Sequence, residues 1–86
     1  MVNVNGDTAI SVKLFAGLAE ARGWRERRLE HRPGMTVADV WCSQTGDVAL
    51  PPRVLCAVNM DYCPADTPLQ PGDEVGFFPP VTGGAA

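Results

Sequence analysis

Few residues in this 86-residue chain are of types that do chemistry, and most of them stand in patterns that disarm them. The three cysteines, Cys42, Cys56 and Cys63, lack the close paired spacing of a zinc site, and the single histidine, His31, lies in a charged stretch that reads as surface rather than as a general base. Neither a base nor a second nearby cysteine accompanies Cys63, so a nucleophilic or redox role for it has little support from sequence. Asp61, Asp66, Asp73 and Glu74 sit in or beside turns; their spacing matches no loop of ordered oxygen ligands, and no metal site is expected. What remains is the stretch from Glu74 to Gly84, Glu-Val-Gly-Phe-Phe-Pro-Pro-Val-Thr-Gly-Gly. Phe77 and Phe78 anchor a strand, Pro79 and Pro80 end its hydrogen-bond ladder and stiffen the chain, and Gly83 and Gly84 carry no side chains. An extended segment with a bare tip is suited to entering a narrow active site in another protein.

Such a tip needs a platform, and the chain upstream supplies one. Ile10, Val12 and Leu14 alternate with polar residues, the period of a strand with one buried face, and Phe15 falls off that face or begins the next turn. Gly17 to Gly23 reads as a short helix, and Arg25 to His31 as a polar strand. Thr36 is a good N-cap for the main helix, which carries Val37, Val40 and Trp41 on one face and stops near Thr45 or Gly46. Val54 to Met60 reads as an interior strand, residues 61–70 leave room for a short edge strand and a loop pinned by Leu69, and Glu74 to Phe78 forms the last strand. Val75 and Phe77 are expected on its core face, with Gly76 and Phe78 on the other. This order is α+β, with one sheet wrapped on one helix and its second face open. Phe15, Leu55 or Ala57, Phe78 and Tyr62 are expected on the open face.

Composition narrows the function classes. A chain this short buries only about 60–65% of its unfolded surface, which leaves no room for a deep cofactor pocket, and no bound cofactor is expected. With seven Lys and Arg against ten Asp and Glu, the net charge is −3, which argues against nucleic acid and suits a partner with a basic groove. No apolar run approaches the roughly 20 residues that span a bilayer, and the first residues lack the charge and apolar core of a signal peptide. The expectation is a cytoplasmic protein with no membrane partner, divided into a flexible lead-in over residues 1–8, a folded domain over 9–80 and a flexible tail over 81–86.

Taken together, Val12-Lys13-Leu14-Phe15-Ala16, Thr36-Val37-Ala38-Asp39-Val40, Val58-Asn59 and the run from Asp66 to Gly84 resemble the small subunit of molybdopterin synthase. The resemblance covers nearly all of the chain from about Ile10, and Gly-Asp-Glu-Val followed by Phe-Phe-Pro-Pro-Val-Thr-Gly-Gly is its most specific part. It implies a ubiquitin-like β-grasp fold, a mixed sheet of four to five strands around the main helix. It also implies a sulfur carrier with no catalytic centre of its own. By that resemblance a ubiquitin-activating-like enzyme would adenylate the carboxylate of Gly84 with ATP, the carboxylate would become a thiocarboxylate, and the large synthase subunit would accept the tail and pass sulfur to cyclic pyranopterin monophosphate. Phe15, Tyr62 and Phe78 match positions of that family's docking patch, and Pro79, Pro80, Val81, Thr82 and Gly83 the inserted tail.

One feature departs from the family pattern. Gly84 is amide-linked to Ala85, and an amide offers no carboxylate for adenylation. Either a protease removes Ala85 and Ala86, or the carrier serves a related pathway that uses processing, or the two alanines are foreign to the natural chain; processing is the expectation adopted here. Two rival readings share the fold: a carrier for thiamine, cysteine or thioacid metabolite synthesis, and a ubiquitin-like interaction or conjugation module.

Overall fold

The computed structural model describes residues 8–80, so residues 1–7 of the expected lead-in and the tail from Val81 lie outside the described residues. In chain order the elements are β1 (Ile10–Leu14), α1 (Gly17–Arg22), β2 (Glu26–Leu29), α2 (Val37–Thr45), β3 (Leu55–Val58), β4 (Asp61–Tyr62) and β5 (Glu74–Phe78). They build one five-stranded sheet in the order β2-β1-β5-β3-β4. β1 and β5 run parallel at its centre, and the other pairs are antiparallel. This is the mixed α+β architecture expected from the sequence.

Each element follows from its residues. In β1 burial alternates residue by residue, so Ile10, Val12 and Leu14 face α2 while Ser11 and Lys13 face away. In α2 a capping box holds the first turn: the Thr36 hydroxyl accepts from the Asp39 amide at 3.3 Å, and the Asp39 carboxylate accepts from the Thr36 amide at 3.0 Å. Gly46, at φ 83°, ends the helix in the left-handed conformation that glycine adopts without penalty. Its buried face, Val37, Val40 and Trp41, packs on Ile10, Val12, Val75 and Phe77, all essentially inaccessible to solvent. Trp41 meets Phe77 edge to face at a centroid distance of 5.0 Å. The indole N–H of Trp41 donates to Asp47 at 3.0 Å, so the one polar atom of the ring is satisfied.

Three expectations need correction. β2 spans Glu26–Leu29 rather than Arg25 to His31, because Ile10, the first residue of β1, is already paired with Leu29. β3 stops at Val58 rather than Met60: Asn59 and Met60 have φ of 50° and 75° and form the two-residue reversal between β3 and β4. His31 is half-buried rather than exposed, with ring Nε2 2.8 Å from the carbonyl oxygen of Leu69. That contact ties the segment after β2 to the loop before β5. Asp73 is turn chemistry, as expected; its carboxylate accepts from the Gln70 amide at 2.8 Å and from the Asn59 side-chain amide at 2.9 Å.

Candidate functional site

The face of the sheet remote from α2 carries the candidate site. Directly opposed residues of paired strands point to one face, so the register places Lys13 beside Gly76, Gly76 beside Ala57 and Ala57 beside Tyr62 across four strands. Leu55 stands opposite Phe78 on the same face. Phe15 follows β1 immediately, and its amide donates to the Phe77 carbonyl at 3.1 Å, which continues the ladder one residue past Leu14. The rings of Phe15 and Phe78 stack at 4.5 Å, within 2° of parallel, and Tyr62 leans on Phe78 at 5.7 Å and 59°. All three predicted aromatic residues therefore meet in one cluster. Phe15 is 36% exposed and Tyr62 70%, which leaves much of that cluster open to a partner.

Gly76 makes the stacking geometry available. A Cβ on Gly76 would stand 3.1 Å from Phe15 Cε2 and 3.3 Å from Phe78 Cε1, so the two rings rest on bare backbone. A glycine inside an otherwise apolar strand is the sequence signal of such a close approach. Its position on the open face was legible in the sequence; its role as the floor of the ring pair was not. Ala57, buried on that face, is a second small residue in the same row. At the opposite end of the face Lys13 pairs with Glu74 at 3.7 Å, so the surface is apolar at one end and charged at the other.

Phe78 is the last residue of β5, and Pro79 and Pro80 follow at the aromatic end. Proline has no N–H to extend a ladder, so the chain leaves the middle of the sheet beside the rings. Val81, Thr82, Gly83 and Gly84, the rest of the predicted tail, lie outside the described residues. Among the described residues no three His, Cys, Asp or Glu side chains gather as metal ligands, and no helix is long and apolar enough to cross a membrane. On the helix side Cys56 lies in the core, and burial with the neighbouring Cys63 pushes its thiol up to about 11. It is held as a neutral thiol at physiological pH.

A mixed five-stranded sheet clasping one helix, with an aromatic face at the root of a Pro-Pro-Val-Thr-Gly-Gly segment, defines a ubiquitin-like β-grasp protein. Residues 12–84 match the model of the ThiS family, and the chain belongs to that family. It is 59% identical over 32 residues to the molybdopterin synthase sulfur carrier subunit of Escherichia coli, a match covering 37% of this chain and 40% of that protein. The corresponding subunit of Haemophilus influenzae is 47% identical over 32 residues, with the same shares covered. The chain thus spans about two fifths of the length of the curated relatives it matches. Among solved structures, small archaeal modifier protein SAMP1 from Haloferax volcanii superposes with a TM-score of 0.75 at 30% identity, covering 88% of this chain and 99% of that one. Urm1 from Trypanosoma brucei gives a TM-score of 0.70 at 18% identity over 94% of this chain and 100% of its own, a likeness of fold alone.

Proposed function

We propose that this protein is the sulfur carrier subunit of a molybdopterin synthase, and that the glycine at position 84 is the atom carrier. The observation that bears most weight is the cluster of Phe15, Tyr62 and Phe78 at the point where Pro79 and Pro80 lead into the Gly-Gly segment. The family match through residue 84 and the sequence likeness to two molybdopterin synthase sulfur carrier subunits support it. The rings give the large subunit an apolar surface to grip, while Pro79 and Pro80 restrict the backbone that leads from them towards Gly84.

The chemistry runs on Gly84 and needs no catalytic side chain from this domain. Cleavage of the Gly84–Ala85 amide by a protease exposes a carboxylate. An adenylating enzyme joins that carboxylate to the α-phosphate of ATP with loss of pyrophosphate, which turns a poor electrophile into an acyl phosphate with AMP as leaving group. A sulfur nucleophile displaces AMP and leaves the thiocarboxylate. In the large subunit the thiocarboxylate sulfur attacks a carbon of cyclic pyranopterin monophosphate and displaces an oxygen substituent; water then cleaves the Gly84 acyl–sulfur bond, which leaves the sulfur on the pterin and returns the Gly84 carboxylate. The absence of side chains at Gly83 and Gly84 keeps the carbonyl open to both partners.

The test is intact mass and turnover. Protein cleaved after Gly84 and treated with the adenylating enzyme, ATP and a sulfide source should gain about 16 Da, oxygen replaced by sulfur. The thiocarboxylate form should then convert cyclic pyranopterin monophosphate in the presence of a molybdopterin synthase large subunit. Gly84→Pro should fold normally and gain no sulfur. Normal product formation by Gly84→Pro, or an uncleaved Gly84–Ala85 bond in every form isolated from the native host, would overturn the assignment. The likeness to a small archaeal modifier favours a second reading, attachment of Gly84 to lysine side chains of other proteins. Isopeptide-linked conjugates formed without turnover of the pterin would favour that reading over sulfur transfer.

A further inference from the structure

Strands β3 and β4 set two cysteines against each other. Ala57 pairs with Tyr62 and Val58 with Asp61, so the antiparallel register carried one residue further puts Cys56 opposite Cys63. The Cys63 amide donates to the Cys56 carbonyl at 3.1 Å, the bond of a directly opposed, hydrogen-bonded pair. In such a pair the Cα atoms are about 5.5 Å apart, inside the roughly 4.4–6.8 Å window that a disulfide spans. Opposed residues share a face, and both side chains lie on the helix side: Cys56 belongs to the core and Cys63 packs against it. Cys56 Sγ already leans across the strand pair, donating to the Cys63 carbonyl oxygen at 3.2 Å. A cleft of about 400 Å³, lined by both cysteines with Pro51, Leu55 and Tyr62, gives a small reagent a way in.

We propose that Cys56 and Cys63 form a reversible dithiol–disulfide site that locks β4 to β3. The oxidant is a low-molecular-weight disulfide. The Cys63 thiolate attacks one of its sulfurs and expels one thiolate; Cys56 then gives up its proton, attacks the Cys63 sulfur and expels the second. Two protein thiols are oxidised to one disulfide, and the small disulfide is reduced to two thiols. The raised affinity of Cys56 for its proton lowers its thiolate fraction and slows this second step. The bridge goes beyond the carrier reading and does not depend on it. It would fix the strand that holds Tyr62, whose ring points to the other face.

The test uses the full chain carrying Cys42→Ser, equilibrated with mixtures of oxidised and reduced glutathione, alkylated and weighed. The expected product is two hydrogens lighter than the reduced chain, takes up no alkyl group and returns to the dithiol with dithiothreitol. Cys56→Ser should instead stop as a lasting glutathione adduct on Cys63. Hydrogen exchange of the Cys63 amide should slow at least tenfold in the bridged form. Full alkylation of both thiols at every ratio, two separate glutathione adducts in the Cys42→Ser chain, or an unchanged Cys63 exchange rate would each overturn the proposal.

Discussion

Gly76 lets the two faces of the sheet be perturbed separately. Its Cβ in Gly76→Ala would lie 3.1 Å from Phe15 Cε2 and 3.3 Å from Phe78 Cε1, a few tenths of an ångström too close, while its other side is the buried core layer of β5. Both neighbours are ring edges on a partly open surface, so the rings can lift. The stacking between them is worth about 0.5–1.5 kcal/mol, and the loss of glycine from a strand interior returns roughly 0.5–1 kcal/mol through the unfolded chain. These contributions nearly cancel, so Gly76→Ala should change stability by less than about 1 kcal/mol, a shift of at most about 4–8 °C in Tm. Gly76→Val adds two further carbons that the rings cannot avoid by a small shift, and should cost about 1–3 kcal/mol.

Docking should respond differently. On the proposed function the stacked rings are the centre of the partner surface, where displacement of an aromatic anchor costs about 2 kcal/mol or more, some thirtyfold in Kd. Thermal unfolding of Gly76→Ala, followed by calorimetric titration with a molybdopterin synthase large subunit, measures both quantities on one sample. The expected outcome is near-native Tm with affinity weakened at least tenfold. Native affinity, together with aromatic NMR shifts of Phe15 and Phe78 that have moved, would refute the idea that this ring pair is the docking anchor. A loss of stability above about 3 kcal/mol would refute the separation of the two faces.

Asp47→Ala removes the acceptor of the Trp41 indole N–H and should cost about 1–3 kcal/mol in denaturant unfolding; Asp47→Asn, which keeps an acceptor, should recover most of it, since the Arg22 pair at 3.2 Å is half-exposed and contributes little. Ala16 stands at φ 52° and ψ −132°, a region that disfavours side chains, so Ala16→Gly should raise Tm, with relief of about 1–3 kcal/mol of strain outweighing roughly 0.5–1 kcal/mol of glycine entropy. Cys56 holds its proton to about pH 11 when folded against an ordinary value of 9.0, so the folded chain binds the proton more tightly than the unfolded one. The resulting stability is complete below about pH 9 and is lost as pH rises towards 11; Cys56→Ala should flatten that part of the stability profile measured by urea unfolding.

What was legible in the sequence was local. The alternation Ile10, Val12, Leu14 determines which side of β1 is buried without reference to any other strand, and Thr36 with Asp39 and Gly46 marks both ends of α2 within one turn of each. The positions that escaped depend on partners far along the chain. His31 meets a carbonyl 38 residues away, and Gly76 matters because parallel pairing brings Lys13, and with it Phe15, beside β5. Asn59 and Met60 gave no glycine or proline to announce a reversal, yet both adopt positive φ, since a two-residue hairpin needs it whatever the residue. That two-residue displacement also hid the cysteine pair: with β3 read through Met60, Cys56 and Cys63 fall on separate elements with no register between them.

The placement of β5 decides how far the bare tip can act. A terminal strand at a sheet edge would leave one side of its ladder open and could pair onward with a partner, whereas β5 is held by β1 on one side and β3 on the other up to Phe78. Beyond Phe78 neither neighbour continues in that direction, since Phe15 turns into α1 and Leu55 begins β3. Two prolines at this point forbid further pairing and restrict the backbone to extended forms. From Phe78 to Gly84 the chain spans six residues, at most about 20 Å when fully extended. On the carrier reading, a partner that grips Phe15, Tyr62 and Phe78 therefore has the Gly84 carbonyl tethered within about 20 Å of the rings. That confinement converts an encounter between two proteins into a positioned reaction at a single carbonyl.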